Sequence, residues 1–230
     1  MLKKTLLAAA VFAFATTAVQ ANEVSGYVTG SIGQAKADKL KHAKEVQNDY
    51  NEIGNIPGVS SRTSTDRSDT AYKVAVGLKV NPYVALEVQY IDLGEASYKG
   101  SASDGVQFSS DKLKSETSGL GANVVGIYPI DDFTLFAKAG YHYLKTKGSY
   151  KYDESFTGFS PYSESESKTV RNWTPSFGVG ASYNITQELA VVAEYERYKG
   201  VADKKVTIDG EKLSFKHDID FASIGLRYNF

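Results

Sequence analysis

The chain has 230 residues, 42% hydrophobic and 12% aromatic, with 20 Gly, 16 Tyr, 11 Phe, no Cys and a formal charge of −1. That is enough chain for one ordinary domain, and it is too apolar and aromatic to be disordered. The absence of cysteine excludes a disulfide framework, a thiol nucleophile and a thiolate metal site, and the near-zero charge argues against nucleic acid as a partner.

Residues 1–21 read as an address. Lys3 and Lys4 precede an apolar run from Leu6 to Ala15, which leads into Ala18-Val19-Gln20-Ala21. A charged start, a short apolar stretch and a small-x-small ending make a secretory signal, too short to span a bilayer comfortably as a helix. Cleavage is expected after Ala21, leaving 22–230 as the folded domain. Beyond it no run approaches the ~18 apolar residues of a transmembrane helix.

From there the period is two. Val24, Val28 and Ile32 alternate with Ser25, Tyr27, Thr29 and Ser31. Tyr72, Val74, Val76, Leu78 and Val80 face away from Lys73, Ala75, Gly77 and Lys79, and Val84, Leu86, Val88 and Tyr90 away from Ala85, Glu87, Gln89 and Ile91. Leu120, Ala122, Val124 and Tyr128 make a fourth, less clean run, and Phe133, Leu135, Ala137, Ala139, Tyr141 and Tyr143 a fifth. Trp173, Phe177, Val179, Ala181 and Tyr183 follow, then Leu189, Val191, Ala193 and Tyr195, and finally Ala222, Ile224, Leu226, Tyr228 and Phe230. Each segment is about ten residues, the length of a tilted membrane strand.

Three features favour a membrane barrel over a soluble sheet. The apolar faces end in aromatics: Tyr83, Tyr128, Tyr183, Tyr228 and Phe230 near the short turns, and Tyr72, Tyr90, Tyr143, Trp173 and Tyr195 at the other end. Those are two girdles around an apolar band. The opposite faces carry charge, with Lys73, Glu87, Lys138, Glu194 and Arg227 among Gly and Ser, as a small barrel lumen does. The connections alternate: tight turns at 81–82, 130–132 and 184–186, long polar ones at 36–69, 98–112, 147–170 and 199–216. A closed barrel also satisfies every backbone group in lipid.

These residues carry a likeness. The run Val80-Asn81-Pro82-Tyr83-Val84-Ala85-Leu86-Glu87-Val88, with Asp92-Leu93-Gly94 and Tyr98-Lys99-Gly100 after it, resembles the second hairpin of the OmpA-type outer-membrane barrel family. Tyr128-Pro129-Ile130-Asp131-Asp132 and Tyr183-Asn184-Ile185-Thr186, with Glu194-Tyr195, resemble its next turns. The resemblance implies an all-β, eight-stranded antiparallel up-and-down transmembrane barrel in a bacterial outer membrane. It implies buried lumen charge pairs that plug or gate a narrow pore, with Glu87 matching a gate carboxylate and Lys138 and Glu194 matching other lumen charges. Val125 and Val192 stand where gate bases are expected, and Ser182 where a second gate acid is expected. The family's peptidoglycan-binding domain has no counterpart after Phe230, so no wall anchor is expected.

Function then lies in the lumen or in the loops. An isolated charge in a narrow lumen costs several kcal/mol, so Glu87, Lys138 and Glu194 are expected to pair, with Lys73 and Arg227 nearby. Eight strands leave an interior that side chains just fill, so a structural plug is the first expectation and a gated ion path the second. The connection at 147–170 offers Phe156, Phe159 and Tyr162, and the one at 199–216 offers Lys204 and Lys205. They are candidates for a host or phage surface ligand and for lipopolysaccharide phosphates respectively. The two connections are expected to attract each other by charge, and the spacing in 206–215 predicts that the last two strands run on beyond the membrane.

No enzyme is expected. His42, His142 and His217 lie in separate regions, and G-x-S-x-G, H-x-x-x-H and P-loop patterns are missing. His142 could meet Ser176 or Glu196, but a filling role is the simpler reading. No cofactor or metal is implied. The leading expectation is a structural and surface-interaction barrel contacting outer-membrane lipid and lipopolysaccharide; the alternative is a narrow, weakly selective channel gated by lumen charges.

Overall fold

The computed structural model describes residues 25–38, 41–203, 205–208, 211–214 and 216–230. Side chains are described except at 41–46 and 205–214. The expected signal peptide at 1–21 and Lys204 lie outside the described residues, as does the side chain of Lys205.

The elements, in chain order, are β1 (Gly26–Ala37), α1 (Lys41–Ile53), β2 (Ser60–Asp66), β3 (Ser68–Asn81), β4 (Val84–Ser103) and β5 (Gln107–Ile130). They continue with β6 (Phe133–Phe156), β7 (Tyr162–Asn184), β8 (Leu189–Val201), β9 (Lys205–Ile208), β10 (Glu211–Ser214) and β11 (His217–Asn229). Eight of them, β1-β3-β4-β5-β6-β7-β8-β11, pair antiparallel in a ring. β11 returns to β1, with Val28 opposite Tyr228, and the ring closes on two bonds between Gly26 and Phe230, at 2.9 and 3.0 Å. Phe230 is therefore a closing residue of the ladder as well as an aromatic at its end.

One end of the barrel is made of tight turns. The Asn81 side chain accepts the Tyr83 N–H at 2.8 Å, and the Thr186 hydroxyl accepts the N–H groups of Leu189 and Glu188 at 3.0 and 3.2 Å. Asp131 holds φ at 50°, in the left-handed region that Asp tolerates better than most residues.

The alternation sorts the faces as the sequence predicts. Leu78, Leu86, Val124, Leu135, Val179, Ile224 and Leu226 face outward and exposed, while Ala75, Glu87, Asn123, Lys138, Ser176 and Ser223 are buried inside. All ten predicted girdle residues sit on the outward parity: Tyr83, Tyr128, Tyr183, Tyr228 and Phe230 toward the tight turns, Tyr72, Tyr90, Tyr143, Trp173 and Tyr195 toward the far end. From Phe133 to Tyr143 is about ten residue steps, ~33 Å along a strand and ~25 Å across a tilted barrel, the height of an outer-membrane apolar band.

Two apolar layers cross the interior. Tyr27, Ala85, Val125, Phe136 and Val192 fill the tight-turn end. Ile91, Leu93, Leu144, Tyr198, Val201, Ile219 and Phe221 fill the other. Large rings lie flat over glycine here: a Cβ on Gly77 would overlap the Tyr27 ring, and one on Gly121 the His142 ring.

The outer connections differ from expectation. β4 runs to Ser103, β5 starts at Gln107, β6 runs to Phe156 and β7 starts at Tyr162, so 98–112 and 147–170 are mostly strand, with turns at 104–106 and 157–161. Pairing continues to Ser103 opposite Phe108, Gln107 opposite Phe156 and Glu154 opposite Tyr162. Most of this extension is wet, with only Tyr98, Gly100, Ala102 and Val170 buried among 98–112 and 147–170, so it shows little hydrophobic alternation, and its Ser, Lys, Glu and Asp imitate a loop. β2 extends this outer sheet beyond β4, so 36–69 is likewise a helix and a strand.

The last two membrane strands, in contrast, do not run on. β8 stops at Val201 after Gly200 (φ 71°) and before Ala202 (φ 56°), and β11 carries a register shift between His217 and Ile219. Left-handed residues turn the chain away, and β9–β10 forms a separate hairpin. The β7–β8 ladder ends at Ser176 opposite Tyr198. Past it the Asn172 amide takes over, donating to Gly200 O at 2.9 Å and accepting from Ala202 N at 3.0 Å. In the segments expected to attract each other, Lys151 pairs with Asp153 and Lys216 with Asp203, each within its own segment.

Candidate functional site

Between the two apolar layers lies a charge cluster. Lys138 from β6 is its centre, in ion-pair contact with Glu194, with Glu87 at 3.1 Å and with Glu196 at 3.5 Å. Lys73 from β3 reaches Glu194 at 2.7 Å and Glu196 at 3.5 Å. All five side chains are at most 5% exposed. Four of the five predicted lumen charges thus converge: Lys73, Glu87, Lys138 and Glu194.

Arg227 does not join them. It lies toward the tight-turn end, its guanidinium 4.2 Å from the Tyr27 ring centroid and 5.4 Å from that of Phe136, and donates to the Thr29 hydroxyl at 3.1 Å. With Lys79 and Glu188 it lines a cavity of about 530 Å³ at the mouth of that end. The Tyr27 ring stands between Arg227 and the cluster and donates its own hydroxyl to Glu87 at 3.0 Å. Alternation put Arg227 on the right face, but the stagger of strands put it at a different height.

Several members were missed or left out of the predicted cluster. Glu196 takes part in full. Gln89 is a hub: its amide nitrogen lies 3.1 Å from Glu196, 2.9 Å from the Tyr198 hydroxyl and 2.9 Å from His142 Nε2, and its oxygen accepts from Lys138 at 3.2 Å. Asn123 donates to Glu87 and to Gln89, both at 3.0 Å, and Ser176 donates to Glu196 at 3.0 Å. The parity of Gln89, Asn123, Tyr27 and Glu196 was readable; their common height was not.

Three carboxylates facing two ammonium groups leave a formal negative excess. Neutral donors take it up: Tyr27 and Asn123 on Glu87, Gln89 and Ser176 on Glu196. A buried ion cluster survives only with such extra hydrogen bonds. His142 meets Gln89 rather than Ser176, so the residues that could have formed a Ser-His pair are joined to other partners. Among the described residues no group of three or more His, Asp or Glu is placed to hold a metal.

The second candidate region is the outer sheet. Its strands continue about thirteen residue steps from Tyr143 to Phe156, which at ~3.3 Å each and a ~40° tilt raises the tip about 30 Å above the girdle. α1 packs on its inner face. Tyr50 from the helix and Tyr150 from β6 both donate to Asp111, and the Tyr50 ring lies against Gly100. Burial first, then the bonds to Asp111, push both phenols well above the usual tyrosine range. At the tip Val106, Phe108, Phe156, Phe159 and Tyr162 are exposed, Phe159 by 77%. The three predicted loop aromatics thus share the tip: Phe156 ends β6, Tyr162 begins β7, and Phe159 lies in the short turn between them.

A closed eight-stranded barrel, apolar and girdled outside and filled with polar side chains inside, is an integral protein of a bacterial outer membrane. The chain belongs to the outer membrane protein beta-barrel domain family, which residues 5–230 match. It is 27% identical over 237 residues to an uncharacterized protein of Coxiella burnetii, covering 91% of this chain and 88% of that one. It is 28% identical over 232 residues to outer membrane protein A of Escherichia fergusonii, covering all of this chain and 56% of that protein. The chain therefore spans little more than half of that relative's length. Among solved structures it is similar to Neisserial surface protein A, with a TM-score of 0.44 and 15% identity over 89% of this chain and 97% of that one.

Proposed function

We propose that the protein is a plugged barrel whose work is done outside the membrane: it anchors the outer sheet and presents its tip to a surface ligand. The reading rests on the exposed apolar tip, where Phe156, Phe159 and Tyr162 stand about 30 Å above lipid, with Val106 and Phe108 beside them. Apolar groups clustered away from any membrane mark an interaction site. The filled lumen supports the same reading, since ionic and apolar layers succeed one another along it. No catalysis is part of the proposal. The test is binding of cells carrying the protein to host surfaces, with Phe156→Ser, Phe159→Ser and Tyr162→Ser combined. Binding is expected to fall at least tenfold with unchanged folding; unchanged binding refutes the reading.

A narrow charge-gated channel is the second reading. It is favoured by one observation: Lys138 is within 3.5 Å of three different carboxylates, so it could change partners with little movement. Planar-bilayer recording separates the two. The plug reading expects silence from the folded protein, and discrete steps altered by Glu87→Gln would favour the channel.

A further inference from the structure

We propose that the outward faces of β6 and β7, just above the outer girdle, form a binding site for a phosphorylated glycolipid of the outer leaflet. Lys145 and Arg171 stand directly opposite each other on these adjacent strands. Both are exposed. Among the described residues neither side chain has an ion-pair or hydrogen-bond partner. Directly opposed like charges destabilise a strand pair. Lys147, two residues further out on the same face, stands opposite Glu116 on β5, so the cations of the site are Lys145 and Arg171. Ser118 stands opposite Lys145 on β5, adding a hydroxyl.

The other side of the rim is built differently. There Arg197 on β8 is held by Asp38, Asp218 and Asp220, at 3.2, 3.1 and 3.0 Å. One sector thus neutralises its cation with the protein's own carboxylates, while in the other Lys145 and Arg171 face each other with no carboxylate in ion-pair contact.

What lies beneath the cations identifies the missing anion. Two residues below Lys145 is Tyr143, opposite Trp173. The Trp173 ring lies 5.3 Å from that of Tyr143 and 5.7 Å from that of Tyr141, nearly parallel to the latter. These rings mark the boundary of the apolar band. An anion seated between Lys145 and Arg171 is therefore at headgroup depth, with acyl chains below and the aromatic rings beside its sugar. Phosphate, sugar and acyl chain in that order, from outside inward, describe a phosphorylated glycolipid. This site depends on the membrane placement alone and stands whatever the tip binds.

Trp173 is the one tryptophan of the chain, so its emission reports on the site directly. The protein, refolded in phosphatidylcholine vesicles, is titrated with the diphosphorylated glycolipid core of lipopolysaccharide, its dephosphorylated form, phosphatidylglycerol and inorganic phosphate. The expected result is a saturable Trp173 shift with the phosphorylated glycolipid. Combining Lys145→Gln with Arg171→Gln should weaken it about 30-fold, at about fivefold per charge. Lys151→Gln, far out on the sheet and paired with Asp153, should change nothing. Arg171→Glu separates binding from folding: it gives Lys145 a partner, so the fold should hold or gain while glycolipid affinity falls. Equal response to the dephosphorylated glycolipid, to phosphatidylglycerol or to inorganic phosphate would overturn the assignment, as would retained affinity in the Lys145/Arg171 variant.

Discussion

Replacing Lys138 by Met tests the lumen most severely. Met keeps most of the unbranched stem, so packing against Gly178 is largely preserved and the ammonium is what is lost. Glu87 then retains its bonds from Tyr27 and Asn123, but Glu194 and Glu196 must share Lys73 alone. Breaking a buried ion pair by removing one partner costs about 3–5 kcal/mol, because a charge is left uncompensated. The lumen seals it from water at both ends with apolar layers, so the upper half of that range is expected. The assay is equilibrium urea unfolding from lipid vesicles, followed by Trp173 emission. Lys138→Met combined with Glu194→Gln should recover at least about half the loss, since two carboxylates facing one ammonium restore the formal excess of one negative charge that the cluster already accommodates. A loss below about 1 kcal/mol, or simple additivity in the pair of variants, would show that water or ions already screen the cluster.

Other consequences can be checked in the same system. Tyr50 and Tyr150 are held protonated above their ordinary range, so the clamp on α1 is complete below the unfolded tyrosine value near 10 and weakens as pH rises through the folded values. Hydrogen exchange at 47–53 should therefore accelerate above about pH 10, and at neutral pH in Asp111→Ala; slow exchange in both would remove the clamp. Gly121→Val should cost about 1–3 kcal/mol in urea unfolding, because its side chain enters the space of the His142 ring. Asn172→Ala should leave the membrane strands intact but raise exchange at 199–203, where its amide replaces the missing ladder; unchanged protection there would contradict that role.

The amino-acid order alone determined which face of each membrane strand meets lipid and which meets the lumen. A strand has period two, so one residue's environment dictates its neighbours': Val74, Val76 and Leu78 against Lys73, Ala75 and Gly77 leave no freedom. The girdles, the tight turns and the count of eight followed from the same alternation. Height was decided by the tertiary structure. Arg227 and Lys73 carry the same parity, yet register sets one over the Tyr27 ring and the other on Glu194. Register arises from pairing between distant segments, and no local pattern encodes it. The outer sheet was hidden for a related reason: mostly wet, with α1 covering part of its inner face, it carries little apolar period, and only strand pairing shows that 98–112 and 147–170 are β4 to β7 continued. The pairing of Lys145 with Arg171 belongs here too, for each reads alone as an ordinary surface cation until the β6–β7 ladder sets them face to face above Trp173.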